Sequence, residues 1–210
     1  MNENTDLSIE QTLEEIMDLL PFPEVAKESV NEFMKLRREM LKESDRGLAL
    51  YATAHIDNEL EKILRNKLVG STQHLNDIFS FNGPLGTFSS KIKLSYSLGL
   101  ISKATMNDIN ILRKIRNEFA HSNQSLNFET ESNKILCNKL QLNVQPENSS
   151  SRIKFMNVVS GISGQIIGRN MKSEKFEELE NINPEERKNG FDLLLNYSKD
   201  LLNEKNQNNS

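Results

Sequence analysis

One predicted helix carries the residues whose types are suited to chemistry, Arg116, Asn117 and His121. Histidine gains and loses a proton near neutral pH, and a guanidinium binds phosphate oxygens through parallel N–H groups. The set therefore has the residue types for acid–base chemistry at a phosphate. On a helical wheel, however, Arg116 and His121 point about 140° apart, which argues against a preformed site.

Arg116 lies at the border of the apolar stripe of its helix. A guanidinium that faces an apolar layer needs acceptors for its five donors, so an acidic partner from another helix is expected. Glu59 lies at the border of the apolar stripe of an earlier helix, and Asp45 lies at the start of that helix. We therefore predict a structural ion pair between Arg116 and Glu59 or, failing that, Asp45.

A second polar pattern surrounds the turn that begins at Gly83 and ends at Gly86, followed by Thr87 as a helix cap. Free backbone N–H groups at such a turn can bind an anion, with Lys91 nearby. The more frequent use of this pattern is a turn that only connects two helices, and we favour that interpretation. His55, four residues before Glu59, shares its helix face and is expected more often in a structural hydrogen bond than in a site.

The elements that position these residues are predicted to be helical throughout. Apolar residues, mainly Leu and Ile, recur at helical spacing, and five Pro and nine Gly are too few for the turns of a sandwich or barrel. The predicted helices span 8–20, 24–42, 44–70, 88–98, 102–121, 131–140, 152–170 and 184–204, with one short helix within 71–82.

These helices predict an all-α protein with a single multi-helix bundle domain. Residues 1–43 form N-terminal helices and 44–122 the central region. Residues 123–205 add C-terminal helices that complete the same domain, and 206–210 form a disordered tail.

Composition excludes several classes of function. The chain of 210 residues has 30 acidic and 26 basic side chains and a net charge of -4, without a basic stripe or a helix-turn-helix, so direct DNA binding is not expected. Three scattered His and the single Cys137 predict neither a metal site nor a disulfide framework, and no cofactor is indicated. The polar, acidic first residues and the lack of a long apolar run predict no membrane segment and a cytoplasmic protein.

Three blocks of sequence, Asp45–Leu64, Asn82–Ile101 and Leu112–His121, resemble the mannitol operon repressor family in the same order, over roughly 44–122. The resemblance implies a helical regulator linked by name to repression of a sugar-alcohol operon, without a recognisable DNA-reading module. We therefore predict a non-enzymatic bacterial transcription-related regulator that acts through protein contacts. A DNA-binding regulator is one candidate partner, and a homo-oligomer is expected.

The six residues from Arg116 to His121 are also similar to the Arg-x4-His signature of the HEPN superfamily of small helical bundles. Members of that superfamily include metal-independent ribonucleases that often work as dimers. The resemblance implies an alternative in which His121 moves a proton at the ribose 2′-hydroxyl or the leaving group and Arg116 stabilises the phosphorane. The alternative function is thus a ribonuclease or RNA-binding protein that uses Arg116, Asn117 and His121.

Two further interpretations concern ligands and subunits. A small-ligand sensor with its pocket between helices is a third, weaker hypothesis for the function, and no residue identifies the ligand. The small residues Ser160, Gly164 and Gly168 lie on one side of a helix and permit close approach of a neighbouring helix. Packing within the chain is the favoured interpretation of that stripe, and a seam between subunits is the other.

Overall fold

The computed structural model describes residues 24–122, 126–172 and 174–207. Within these ranges the chain forms helices and no strand, so the all-α prediction is confirmed. The helices are α1 Glu24–Lys42, α2 Asp45–Lys67, α3 Thr72–Phe79, α4 Phe88–Ser97, α5 Lys103–His121, α6 Glu131–Cys137, α7 Ser151–Met171 and α8 Pro184–Gln207. The helix predicted over 8–20 and residues 208–210 of the predicted tail lie outside the described residues, whereas residues 206 and 207 belong to α8.

Local capping explains where these helices begin and end. The side chains of Ser44, Thr87 and Ser102 accept a hydrogen bond from the backbone N–H three residues ahead, which satisfies a donor that the first turn leaves free. Gly70 and Gly99 have positive φ angles of 124° and 66°, close after the ends of α2 and α4. The sequence predicted Thr87 as a cap, and the predicted spans 44–70, 88–98 and 102–121 begin or end at or next to the other four positions, although α2 ends at Lys67 rather than at Gly70.

The core forms around α2, which packs mainly against α7 and α5. The predicted apolar stripe of α2 is completely buried, as are the apolar residues of α5 that face it. Phe128, in the segment before α6, stacks between Phe119 of α5 and Phe155 of α7, with ring centroids 5.1 and 4.9 Å apart. This arrangement fixes α2, α5 and α7 relative to each other and so positions the polar residues on them.

The chain divides into two compact units, Met1–Phe176 and Glu177–Ser210. The first contains α1 to α7, and the second contains α8. The prediction that residues 123–205 complete one domain is therefore wrong from residue 177 onward. The physical reason is that none of the side chains described on α8 is buried: its apolar residues, including Phe191 and Leu194 at 62% and 66% exposure, are open to solvent.

The helices just given are too short or too polar to span a membrane. None of them combines the length and the apolar character that crossing a bilayer requires. This finding covers the described ranges.

Candidate functional site

Arg116 does not form the predicted ion pair within the described residues. It is half-buried on α5, and its Nε atom is buried without a hydrogen-bond partner there. Glu59 instead accepts from Lys62, one turn ahead on α2, at 2.6 Å. Asp45 instead pairs with Arg152 at 2.6 Å. Each carboxylate is thus paired with a different cation from the one predicted. The predicted ion pair of Arg116 is wrong for Glu59 and for Asp45.

Arg152 is a structural residue that the sequence did not reveal. Its guanidinium donates to Asp45 Oδ1 at 2.6 Å and to the carbonyl oxygens of Glu43 and Met40 at 2.6 and 3.2 Å. The second oxygen of Asp45 accepts the backbone N–H of Phe128 at 2.9 Å. The network joins the start of α7 to the α1–α2 junction across 107 residues of sequence, a distance at which no spacing pattern could have indicated it.

Asn117 and His121 are exposed on α5, and His121 is the last residue of that helix. The guanidinium of Arg46, on α2, donates to the carbonyl of Ser122 at 2.7 Å, so a second arginine reaches the end of α5. The structure thus brings Arg46 to this helix end, a residue that the sequence analysis did not single out. The hydrogen bond of Arg46 is to the backbone and leaves the imidazole of His121 exposed.

The turn from Gly83 to Gly86 uses its own N–H groups internally. The backbone N–H groups of Gly83, Leu85 and Gly86 donate to carbonyl oxygens within the turn and the end of α3, at 2.8, 3.0 and 3.0 Å. A Cβ at Gly83 or Gly86 would lie 2.3 or 2.1 Å from backbone oxygens, so both positions require glycine. The turn is a close-packed connection, as the favoured interpretation predicted.

The ammonium group of Lys91 is likewise paired with carboxylates of α2. Lys91 is only 5% exposed, and its Nζ donates to Glu61 at 3.0 Å and lies 2.6 Å from Asp57. Thr87 caps the N–H of Ser90 at 3.1 Å. The alternative of an anion site at this turn is therefore corrected, because its donors and its cation already have acceptors within the protein.

A cavity of about 520 Å³ lies between α1, α2 and α7. Leu36 and Ile167 are the apolar residues among those that line it. The polar lining residues are Glu32, Lys35, Glu39, Tyr51, His55, Asn58, Glu59, Glu61, Lys62, Arg65 and Ser163. A pocket between helices was one expectation from the sequence, but its position could not be predicted, because one wall, α7, lies far along the chain from α1 and α2.

On one wall of the cavity, Tyr51 of α2 donates its hydroxyl hydrogen to the carboxylate of Glu39 on α1. Burial, together with the hydrogen bond and the negative charge of Glu39, raises the pKa of Tyr51 to about 12. The phenol therefore keeps its proton near neutral pH and remains a hydrogen-bond donor in the cavity.

His55 connects two walls of the cavity, since its Nε2 lies 2.8 Å from Ser163 Oγ on α7. Burial lowers the pKa of His55, and the charge of Glu59 opposes this effect only in part. His55 and Glu59 therefore interact through charge but not through a hydrogen bond. His55 is hydrogen-bonded to Ser163, and Glu59 is hydrogen-bonded to Lys62. The hydrogen bond with Glu59 raises the pKa of Lys62.

The described part of the chain contains no group of three or more His, Cys, Asp or Glu side chains arranged to hold a metal ion. Cys137 is free and buried, and burial raises the pKa of its thiol to about 12.

Comparison with known families decides the relationship. The family model described as mannitol repressor matches residues 25–161, more than half of the chain. The chain belongs to the mannitol repressor family. The match runs from α1 into α7, well beyond the three blocks seen in the sequence, and so includes the α1 and α2 walls of the cavity. Ser163 and Ile167 lie just beyond it.

A solved structure has the same fold as this mannitol repressor family member. It is a chain of the X-ray structure of the MtlR–HPr complex from Escherichia coli, with a TM-score of 0.56 and 14% sequence identity. The similarity covers 64% of this chain and 97% of that chain. A comparison with curated proteins gives no match.

Proposed function

We propose that this chain is a non-enzymatic, transcription-related regulator of the mannitol-repressor type that acts through protein contacts. The observation that carries the proposal is the family match over residues 25–161, which spans most of the first unit. The net charge of -4 supports contact with proteins rather than with duplex phosphates. We place this regulator in the cytoplasm.

We propose HPr as the first protein partner to test. The structure with the same fold is that of a complex of MtlR with HPr, which supports an HPr-binding role for this chain. A DNA-binding regulator is the second partner that the proposal requires, because a net negative chain without a DNA-reading module needs another protein to reach an operator.

Two measurements test this proposal. Calorimetric titration of the full chain with HPr from its own host should give saturable binding, and an unrelated protein of similar size and charge should give none. In a gel shift with operator DNA at about 150 mM salt, the chain alone should give no specific complex, since phosphate contacts are weakened at that ionic strength. Absence of HPr binding together with a specific, salt-resistant DNA complex would reverse the proposal.

An RNA-cleaving function that uses Arg116 and His121 is the second candidate. The observation that favours it is that Arg116 has no carboxylate partner among the described residues. A structural ion pair therefore does not explain why an arginine stands at this position. Incubation with total RNA in EDTA, beside the Arg116→Ala/His121→Ala double variant, tests it. Cleavage lost in the variant would support the ribonuclease, whereas equal cleavage or none in either sample would exclude it.

We also propose that the regulator is a homo-oligomer. Supporting observations are the exposed apolar residues of α8 and the open surface at Gly164 and Gly168, where an added Cβ would meet nothing within 4 Å. The favoured interpretation of the small-residue stripe, close packing within the chain, is therefore wrong at these two glycines. Sedimentation velocity at several concentrations should show a species larger than 24.0 kDa, and a monomer throughout would refute the oligomer.

A further inference from the structure

The cavity between α1, α2 and α7 has no part in the function proposed above. Its volume of about 520 Å³ lies within the range of roughly 300–1,000 Å³ that is usual for small-molecule sites. Its walls come from segments as far apart as Glu32 and Ser163, which the packed helices of the first unit hold in place. The cavity is thus a property of the tertiary structure rather than of one surface helix.

Four of the charged side chains that line this cavity are paired with one another. Glu59 accepts from Lys62 at 2.6 Å, and Glu61 accepts from Arg65 at 2.8 Å. A cationic or anionic ligand would have to compete with these ion pairs, and an anion would also face the carboxylates themselves. An uncharged ligand leaves the pairs intact.

The hydrogen-bonding groups that remain suit hydroxyl groups. Carboxylate oxygens accept more than one hydrogen bond, so Glu39 and Glu59 keep acceptor capacity beside Tyr51 and Lys62. The amide of Asn58, exposed at the cavity, both donates and accepts. A hydroxyl group does both as well, and the carbon chain of a polyol can lie against the apolar part of the lining, which includes Leu36 and Ile167.

We propose that this cavity binds a small, uncharged molecule with several hydroxyl groups, of the sugar-alcohol class. The carboxylates of α1 and α2 accept from its hydroxyl hydrogens, and Asn58 and the lysine side chains donate to its oxygens. The proposal goes beyond protein contact and gives the regulator a site for an effector. It depends on the geometry of the first unit and not on the identity of a protein partner.

Calorimetric titration of the full chain with D-mannitol, D-sorbitol and myo-inositol tests the site, at concentrations up to about 10 mM so that a Kd near 1 mM is visible. At least one of these should bind saturably. D-mannitol 1-phosphate should bind more weakly than D-mannitol, because its charge faces the lining carboxylates.

Variants separate the site from general effects of polyols on proteins. Asn58→Trp fills the cavity and should weaken binding at least about tenfold. The same exchange at exposed Asn189 on α8, Asn189→Trp, should leave the affinity unchanged. Tyr51→Phe keeps the ring but removes the hydroxyl that orients the Glu39 carboxylate in the cavity wall, so it should weaken binding even if the tryptophan variant does not fold.

Three results would overturn the proposal: no binding by any of the three polyols, equal affinity in the wild-type chain and both cavity variants, or tighter binding of the phosphorylated polyol. The titrations are done without HPr, and the HPr titration is done without polyol. Failure of the cavity proposal is therefore distinguishable from failure of the proposed protein contact.

Discussion

Several polar side chains hold the first unit together across long stretches of sequence. Asp108 of α5 is completely buried and accepts the backbone N–H groups of Gln141 and Leu142 at 2.9 and 2.8 Å. Lys154 of α7 is 7% exposed and donates to the side chain of Asn138 and the carbonyl of Glu147 at 2.9 and 2.8 Å. Buried polar groups of this kind stabilise a fold only while their partners remain, so each is sensitive to substitution.

The Arg152 network gives the first prediction at this scale. Arg152→Met leaves one oxygen of Asp45 and the carbonyl oxygens of Met40 and Glu43 without their donor. We expect the free energy of unfolding to fall by about 1–3 kcal/mol in urea denaturation. Arg187→Met, at an exposed position of α8, is the matched control and should change it by less than about 0.5 kcal/mol. Equal effects of the two exchanges would contradict the structural role of Arg152.

The burial of His55 gives a prediction about pH. Because the folded chain lowers the pKa of His55 below 6.5, the unfolded chain binds more protons between that value and the folded pKa. Stability contributed by the neutral imidazole is therefore complete above about pH 6.5 and is lost as the pH falls through this window. The unfolding free energy of His55→Asn should decrease less than that of the wild-type chain between about pH 7 and pH 5. An equal decrease in both proteins would show that burial of His55 has no effect on the pH dependence.

At the scale of elements, the space for a side chain differs between the glycines of the turn after α3 and those of α7. Gly86 lies where a Cβ would be 2.1 Å from a backbone oxygen, and backbone cannot move aside without disturbing the turn. Gly161 lies in the middle of α7 on its exposed face, where a Cβ would meet nothing within 4 Å. The same exchange therefore has opposite expected effects at the two positions.

Gly86→Ala should lower the free energy of unfolding by at least about 1 kcal/mol, since the turn must open to admit the methyl group. Gly161→Ala should raise it by about 0.5–1 kcal/mol, because alanine loses less backbone entropy than glycine in a helix. Thermal unfolding followed by circular dichroism measures both. A destabilised Gly161→Ala variant would mean that another surface covers this face of α7.

At the scale of the whole molecule, the division at residue 176 separates a unit with a core from a helix without one. The core of the first unit is formed by α1 to α7, whereas the apolar side chains of α8 are exposed. The boundary segment stays attached to the first unit: Phe176 donates its N–H to the carbonyl of Lys67 at 2.9 Å, and the ammonium of Lys67 lies 4.6 Å from the centre of the Phe176 ring. Residues 177–210 are therefore the natural part to remove.

A chain truncated after Phe176 should retain the folding stability of the first unit. Little apolar surface of the described part of α8 is buried, so its removal takes away little of the energy of burial. We expect a single cooperative urea transition with a midpoint close to that of the full chain. A loss of cooperativity would show that the second unit contributes to the core. If α8 forms the subunit contact, the truncated chain will also sediment as a monomer.

The sequence by itself determined the elements and the family. Caps at Ser44, Thr87 and Ser102 and the positive-φ glycines are local signals, and the apolar stripes of α2 and α5 repeat within a few turns. Such features depend on residues close together in the chain, which is why the bounds of the predicted helices from 24–42 onward agree with the structure to within three residues. The three family blocks were likewise visible without coordinates, and the match over 25–161 confirms them.

The tertiary structure alone decided how the charged residues are paired and where the cavity lies. Asp45 forms an ion pair with Arg152, 107 residues away in sequence, and Glu59 forms one with Lys62 on its own helix. Arg116 is paired with neither carboxylate. An ion pair depends on which charged groups come within about 4 Å after packing, and helical wheels give directions but no distances between helices. The cavity has the same origin, because it exists only where the packed surfaces of α1, α2 and α7 fail to meet.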